Sequence, residues 1–354
     1  MPRKYILPIF LVVQIILIQI VSQFPESVER YYSNGIFVPI SKMLRILFGW
    51  IPFAVGDIIY FIVIFIIIRW FWKKRKTWRI SWKDNLLLIV SGISLFYFLF
   101  HFLWALNYHR VKLHDKLGIG TEYTDAELVE FTKRLIVKTN EIHNKIEAAD
   151  SLKVVFPYSR EIVFEKNRNG YDHLAKEYPI FLYEKPSVKN SIISLPLTVM
   201  GFAGYLNPFT NEANVNEKLP MYTFPATANH EMAHQIGYAS ESEANFIGFL
   251  ASIKNDDLYI QYSGYTLALR YCLRSIEIRD ERQLEALLPT INYGILMNIK
   301  ESNDFWEQYQ SFIEQGFEFF YHNFLKMNRQ EEGMESYSRF VDLMVNYYTS
   351  QELG

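Results

Sequence analysis

Three long apolar runs dominate the hydrophobic pattern of the first third of the chain. They cover residues 5–22, 51–68 and 86–106. Each approaches the ~20 residues that a helix needs to cross the hydrocarbon layer of a bilayer. The end of the first run, IVSQF, lacks the small-x-small pattern of a leader cleavage site. We therefore predict that residues 1–106 form a membrane anchor of three transmembrane helices, with the first retained.

The pattern after residue 106 is that of a globular domain. TDAE, which begins at Thr124, has the form of a helix capping box. Apolar residues then recur at helical spacing: Leu128, Phe131, Leu135, Ile142 and Ile146. We therefore predict a helix that begins after Thr124.

The middle of this domain, residues 151–225, is richer in Pro, Gly and Asn than the segments on either side. It contains short apolar runs that favour β-strands, at 152–156, 162–164 and 181–183. Beyond residue 226 the helical pattern returns and continues almost to the end. We predict that residues 107–354 are mainly α with a small β component, an α+β fold.

The charges around the apolar runs indicate an orientation. Between the second and third runs, the segment RWFWKKRKTWRISWKDN carries seven basic residues and one acidic residue, Asp84. Such an excess is typical of a cytoplasmic loop. The domain that follows would then lie outside the cytoplasm of a cell (inner) membrane protein. The net charge of −2 gives no indication of nucleic-acid binding.

The chain has a single cysteine, Cys272, in the helical-looking run YTLALRYCLRS. One cysteine excludes an internal disulfide framework and a zinc cluster built from thiolates. We interpret Cys272 as a buried structural thiol.

The segment 226-ATANHEMAHQIGYASESEANF-246 contains an HExxH pattern. On a helix, His230 and His234 lie one turn apart on the same face and can bind one metal ion. Glu231 is rotated by about 100° and can act on a metal-bound water as a general base. Thr227 can cap this helix, and Gly237 can end it.

A catalytic zinc site takes three protein ligands and keeps one position open. Two acids follow the second histidine closely, Glu241 and Glu243, and only one of them is needed. Ser240 can cap a second helix, with Glu243 at the capping-box position. The spacing alone leaves both acids open as the third ligand.

The run Glu241-Ser-Glu-Ala-Asn245 resembles the E-x-x-A-D motif of gluzincin-type membrane metallopeptidases, in which the first Glu binds zinc. The resemblance implies a zincin-like domain in which Glu241 binds one Zn²⁺ with His230 and His234. It also implies that Asn245, in place of the usual Asp, supports a zinc-binding histidine. An oxyanion donor in such enzymes often comes from the C-terminal lobe. Tyr337 and Arg339 in ESYSRF are candidates for that role.

Further motifs resemble an uncharacterised bacterial family of membrane-anchored HExxH proteins, domain of unknown function 3810. They are WALNY, NPFTNEANVN, HEMAHQIGYASESEANF and GMESYSRFVDLMVNYY. The zinc chemistry predicts a peptidase acting on peptides or proteins beside the bilayer, with Glu231 activating a zinc-bound water. The segment 202–220 is a candidate edge strand for an extended substrate. The alternative is a zinc-binding but non-catalytic membrane receptor or scaffold.

Overall fold

The computed structural model describes residues 3–328 and 337–349, together with 351 and 353. Its N-terminal third is helical. The α-helices there are α1 (Ile6–Val21), α2 (Pro25–Ser27), α3 (Phe37–Gly49), α4 (Val55–Lys74) and α5 (Trp82–Leu103), with a π-helical stretch at Val28–Ile36. By length and composition, α1, α4 and α5 are able to cross a membrane. The three predicted apolar helices are therefore present.

The bounds of α4 differ from those of the predicted second run. The helix begins at Val55, after the Pro52 segment, and continues past Ile68 to Lys74. A hydrophobic run ends at its first charged residue, but Arg and Lys are good helix formers. Their long side chains also reach the polar headgroups from a helix end. The helix is therefore longer than the run that identifies it.

The remaining chain is mostly helical. The helices are α6 (Leu113–Leu117), α7 (Asp125–Ile146), α8 (Arg160–Glu177), α9 (Ser194–Val199), α10 (Phe224–Gln235), α11 (Glu241–Ile253), α12 (Leu258–Arg279), α13 (Glu281–Leu287), α14 (Tyr293–Glu307), α15 (Phe312–Met327) and α16 (Tyr337–Tyr347). Thr124 caps α7 with a complete capping box, as predicted. Helix α11 lies at the centre, because every residue from Glu241 to Ser252 is buried.

One small sheet contains the strands β1 (Val188–Asn190), β2 (Gly204–Leu206) and β3 (Ala213–Val215). The order is β1-β3-β2, with β1 parallel and β2 antiparallel to the central β3. The small β component is therefore confirmed, but the predicted strand positions are wrong. Residues 152–156 are irregular, 162–164 lie in α8, and 181–183 follow a 3₁₀ turn. Short apolar runs do not distinguish a strand from a buried helix segment.

The sheet is bonded to the N-terminus of α4. The carboxylate of Glu212 accepts the backbone N–H groups of Val55 at 3.1 Å and Gly56 at 2.7 Å. Lys189 pairs with the same carboxylate, and both side chains are buried. Asp57, on the first turn of α4, accepts from the Ser191 hydroxyl at 3.0 Å. These contacts satisfy free N–H groups at the helix start and join α4 to the C-terminal domain.

A second link joins the segment between α1 and α3 to the same domain. The guanidinium of Arg110 donates to the carboxylate of Glu29 at 2.7 and 2.8 Å and to the Gly237 carbonyl at 2.8 Å. The guanidinium also stacks 4.2 Å from the ring centroid of Tyr238. Arg110 is buried. Arg110 therefore links the turn after α10 to the segment between α1 and α3.

Candidate metal centre

Helix α10 carries the HExxH pattern and begins at Phe224. Pro225 lies in its first turn, where the missing backbone N–H leaves no hydrogen bond unmade. The predicted cap, Thr227, is wrong: it lies inside the helix, and its hydroxyl donates to the Thr223 carbonyl at 3.0 Å. Local capping preference did not decide the start of the helix, because Pro225 fixes φ two residues earlier.

The helix ends at Gln235, and Gly237 forms the stop that follows it, as predicted. The Gly237 N–H bonds to the His234 carbonyl at 2.9 Å, and the Tyr238 N–H bonds to the Ala233 carbonyl at 3.3 Å. This pair of bonds is a Schellman motif, and it needs a left-handed residue at the glycine position, where φ is +92°. A Cβ there would lie 2.9 Å from the ring of Phe37. The glycine therefore both ends the helix and admits the aromatic side chain.

Polar contacts hold α10 to its neighbours. The hydroxyl of Tyr171 donates to the Asn229 carbonyl at 2.6 Å. The side chain of Gln235 donates to the carbonyls of Ser187 at 2.8 Å and Asn211 at 2.7 Å, next to the small sheet. The ring of Trp104 packs edge-on against His234, with centroids 5.9 Å apart. Helix α10 is thereby held by contacts from α8, from residues beside the small sheet and from Trp104.

The structure brings His230, His234 and Glu241 together. Glu241 Oε2 lies 3.1 Å from His230 Nε2 and 3.7 Å from His234 Nε2. Ligand atoms of the three residues all lie within 4.8 Å of one another. Around a tetrahedral zinc ion with bonds of about 2.1 Å, neighbouring ligand atoms are roughly 3.4 Å apart. The three side chains therefore converge at the scale of one ion.

The outer ring nitrogens of both histidines are engaged by acceptors. His230 donates from Nδ1 to Asn245 Oδ1 at 2.9 Å. His234 donates from Nδ1 to the Tyr238 carbonyl at 2.6 Å. With Nδ1 held in this way, Nε2 of each ring faces Glu241 and can bind an ion once its own proton has left. This is the tautomer and orientation that a metal-binding histidine needs, so the donor set fits a zinc ion.

The electrostatics of the group favour a cation. Burial alone lowers the pKa of His234, but the hydrogen bond and charge of Glu241 outweigh it and raise the pKa to about 9. Burial alone raises the pKa of Glu241, yet hydrogen bonds from His230 and His234 hold it well below its usual range. A site that binds protons this way also attracts a divalent ion, which competes with those protons.

Glu231 lies beside this group in a buried position. Burial, with a smaller contribution from the charge of Glu241, raises the pKa of Glu231 to about 7, although the two histidines act in the opposite direction. Its Oε2 is buried and has no hydrogen-bond partner in the described part of the chain. A carboxylate with such a pKa and a free oxygen can take up and release a proton near neutral pH.

Glu243 is directed away from the metal group, which consists of His230, His234 and Glu241. Its Oε1 accepts the backbone N–H of Leu113 at 2.7 Å, at the start of α6. Ser240 is the N-cap of α11, as predicted, but its side chain bonds to Ser242 rather than completing a capping box. Of the two acids that the spacing left open, Glu241 is the one that meets the histidines.

The predicted oxyanion donors lie elsewhere or outside the described side chains. Arg339 is exposed on the first turn of α16 and is not among the described residues that line the site cavity. The side chain of Tyr337 lies outside the described residues. Instead, Tyr321 on α15 donates a hydrogen bond to Glu241 Oε1 at 2.5 Å. No local signal identified Tyr321, which is 80 residues from Glu241 in the sequence.

Strand β2 runs past Glu231 at the edge of the sheet. A Cβ on Gly204 would lie 2.6 Å from Glu231 Oε1, so glycine allows the close passage. Ala203 accepts the Asn216 N–H and Asn207 donates to the Glu212 carbonyl, at the two ends of β3 and on one side of β2. By the alternation of an antiparallel ladder, the backbone groups of Gly204 and Leu206 point to the opposite, unpaired side. The predicted edge strand in 202–220 therefore borders the site.

A cavity of about 1120 Å³ extends over the metal group. Its lining includes all four site side chains and β2. One wall is aromatic and comes from α4, α5 and α15: Tyr60, Phe100, Phe320, Tyr321 and Phe324. Another wall, from α12 and α14, carries Arg270, Tyr271, Arg274 and Asn303. The same wall also carries apolar side chains, among them Leu267, Leu296 and Ile299. The site is thus a cleft with one aromatic wall and one wall of mixed polarity.

One family model matches the part of the sequence that forms the fold and the site described above. The family model described as "Protein of unknown function (DUF3810)" matches residues 32–345, which include all of the metal group, Glu231, β2 and Tyr321. No curated protein and no solved structure matches the chain. The match covers most of the sequence, and the chain therefore belongs to this family of unknown function.

Proposed function

We propose that the chain is a membrane-anchored zinc peptidase that hydrolyses peptide bonds outside the cytoplasm. The observation that carries the proposal is the convergence of His230, His234 and Glu241 with the free oxygen of Glu231 beside them. Two imidazoles, one carboxylate and an adjacent general base are the parts of a hydrolytic zinc site. They lie here in one cleft with an edge strand.

Each protein group has a distinct part in the proposed hydrolysis. A zinc ion held by the three ligands would supply Lewis-acid chemistry, which polarises a carbonyl and acidifies water. Glu231 accepts the proton of the attacking water through its free oxygen. The same carboxyl then delivers that proton to the leaving amide nitrogen. Its raised pKa suits both steps near neutral pH.

Tyr321 takes the place of the predicted oxyanion donors. Its hydroxyl already lies at the metal group, where it donates to Glu241. Turning from Glu241 toward the substrate would let it donate to the oxygen of the tetrahedral intermediate. Tyr321→Phe removes that donor without changing the size of the side chain.

Strand β2 is suited to hold the substrate backbone. The unpaired groups of Gly204 and Leu206 offer two N–H donors and two carbonyl acceptors to an extended peptide. Because Gly204 touches Glu231, a peptide added to this edge would pass directly over the general base. Main-chain pairing also explains how sequences of different composition could enter the same cleft.

The decisive experiment is metal analysis of the full chain in detergent, beside cleavage of a degenerate decapeptide library. We expect one zinc ion per chain in the wild type and in Glu231→Gln. Cleavage should fall at least a hundredfold in Glu231→Gln, because the general base is lost. His234→Ala and Glu241→Ala should lose the zinc.

The matched control is Glu243→Gln, which removes a neighbouring acid that bonds to Leu113 instead of the metal group. It should keep a full equivalent of zinc. Equal zinc in the wild type and in His234→Ala would overturn the site. Stoichiometric zinc without cleavage of any library peptide would overturn the peptidase and leave the non-catalytic receptor or scaffold.

A further inference from the structure

Helix α15 exposes a row of large apolar side chains. Phe312 is 82% exposed, Phe319 73%, Phe320 63% and Met327 76%. At about 100° per residue, the four fall within an arc of about 100° on the helix surface. Glu318 lies roughly on the opposite side. Gly316 and the exposed Asn323 fall within the same arc, so the row is apolar at Phe312, at Phe319 and Phe320, and at Met327. Large exposed apolar side chains that recur along one face of a helix mark an interaction site.

The opposite flank of α15 covers the metal centre. Tyr321 bonds to Glu241 and packs edge-on against Phe202, which directly precedes the β2 region, with centroids 5.1 Å apart. Phe320 and Phe324 also line the cavity. The helix is thus a roof over the cleft, with Tyr321 on its cleft side and Phe320 at the border of the cavity. Phe312, Phe319 and Met327 lie outside the cavity lining.

The contacts of α15 indicate which environment covers that row. Phe324 packs against Phe100 and Tyr108, with ring centroids 6.1 and 6.3 Å apart. Phe100 lies three residues before the end of α5, about 4.5 Å along the helix axis. Helix α5 is long and apolar enough to cross a membrane. If α5 crosses the membrane, the roof helix lies near the level of one end of that span.

The other side of the cleft is at the same level. The turn between β2 and β3 inserts Phe209 against Tyr60 of α4 and Phe96 of α5, with centroids 6.3 and 5.4 Å apart. Phe96 is about 10 Å along the axis from the end of α5. The substrate edge and the roof helix thus both rest on the outer ends of the spans, with the aromatic cavity wall between them.

We propose that the aromatic row of α15 lies in the outer leaflet of the bilayer and that the cleft takes its substrate from that layer. The substrate is then a peptide held at the membrane by an adjacent apolar anchor, either a hydrophobic helix or an acyl chain. The anchor stays in the lipid while the neighbouring extended segment passes Phe320 and pairs with β2. This inference rests on the proposed peptidase function.

The chemistry of the cleft fits such a substrate. A membrane anchor confines the peptide near the cleft and raises its effective concentration without any new contact. Aromatic residues such as Phe320 and Tyr60 in the cavity lining suit the boundary between lipid and water. Arg270 and Arg274, also in the lining, would meet the water-soluble part of the substrate.

The lipid contact of α15 is tested in vesicles of phosphatidylcholine and phosphatidylglycerol. Met327→Cys and Phe312→Cys in the full chain receive a fluorescent label, with Glu318→Cys as the matched control on the polar side. The natural thiol, Cys272, is buried. We expect nitroxide-bearing lipid to quench the first two labels at least threefold more than the control.

Quenching by a water-soluble quencher alone at all three positions would overturn the proposal, because the row would then face water. Protection of Met327 and Phe312 from both quenchers would also overturn it, since a second copy or another protein would cover the row. This readout does not depend on zinc or on turnover.

The substrate class is tested with one degenerate decapeptide library in three forms: unmodified, palmitoylated, and fused to a hydrophobic helix of about 20 residues. We expect vesicle-bound wild type to cleave an anchored form at least tenfold faster than the free form. The preferred form identifies the anchor. Phe312→Ser with Phe319→Ser, outside the cavity lining, should reduce cleavage of anchored peptide at least fivefold and leave free peptide unaffected.

The two proposals fail in different ways. Equal cleavage of free and anchored peptides would overturn membrane delivery and keep the peptidase. With no cleavage at all, photo-crosslinking of the three library forms to the Glu231→Gln chain decides the matter. Preferential crosslinking of an anchored form then supports delivery, and equal crosslinking overturns it.

Discussion

The carboxamide of Asn245 determines how His230 is presented to a metal. Its Oδ1 accepts a hydrogen bond from Nδ1 of His230. For His234, the acceptor is a backbone carbonyl, that of Tyr238, which substitution of a side chain does not remove. A neutral amide raises the basicity of the imidazole less than a carboxylate would. The side chain at position 245 would therefore adjust the affinity of the proposed site for a metal ion without touching the ion.

Changing Asn245 should shift zinc affinity in both directions. Asn245→Ala should weaken zinc binding about 10- to 100-fold, because His230 loses its orienting partner. Asn245→Asp should strengthen binding, because a carboxylate raises the basicity of the ring. Competition with a fluorescent chelator measures both, with Asn255→Ala as a control for loss of a buried amide elsewhere. Affinities within twofold of wild type at position 245 would contradict this role.

At the scale of single residues, the sequence was informative only where the site is local. His230, Glu231 and His234 lie on one helix, and their spacing alone predicts a common face for the two histidines with Glu231 about 100° away. Glu241 required a resemblance, because the preceding turn decides which acid of α11 faces back. Tyr321 was not found, since α15 reaches Glu241 only after the whole C-terminal lobe has packed.

At the scale of elements, helices were predicted better than strands. The capping box at Thr124 and the stop at Gly237 are local signals, and both formed as expected. The strands have only three residues each, too few for a periodic pattern. They are held by distant partners instead, such as the contact of Lys189 with Glu212 beside α4. Such partners cannot be found from a window of the sequence.

The turn after α10 gives an element-scale prediction. Gly237→Ala should destabilise the chain by about 1–3 kcal/mol, because it adds a Cβ at positive φ against Phe37 and disturbs the Schellman bonds beside His234. Thermal unfolding in detergent measures the loss. The matched control is Gly118→Ala, at a φ of +64° with nothing described within 4 Å of its Cβ. Equal melting temperatures for the two variants would contradict the role of this contact.

At the scale of the whole molecule, the charge of one loop sets the proposed orientation. The segment between α4 and α5 is strongly basic, and the metal centre lies at the other ends of these helices, near Val55 and Leu103. If the basic loop is cytoplasmic, the cleft opens on the outer side of the membrane. The orientation of the cleft thus follows from a segment remote from it.

Single-cysteine labelling tests this orientation. With the natural thiol buried, Ala149→Cys in an exposed outer turn should react with a membrane-impermeant maleimide in intact cells. Thr77→Cys in the basic loop should react only after permeabilisation. The reverse pattern would place the metal centre in the cytosol.

The bonds between Glu212 and the start of α4 have a consequence for proteolytic release. If the domain were cut from the spans, the buried Lys189 and Glu212 pair would lose its backbone donors, and Arg110 would lose Glu29. Glu212 would keep Lys189 and Thr210 as partners, but Arg110 would lose its carboxylate, and a charge left without its partner destabilises a fold. A fragment released after α5 would therefore be less stable than the full chain, and the proposed hydrolysis would depend on attachment to the spans.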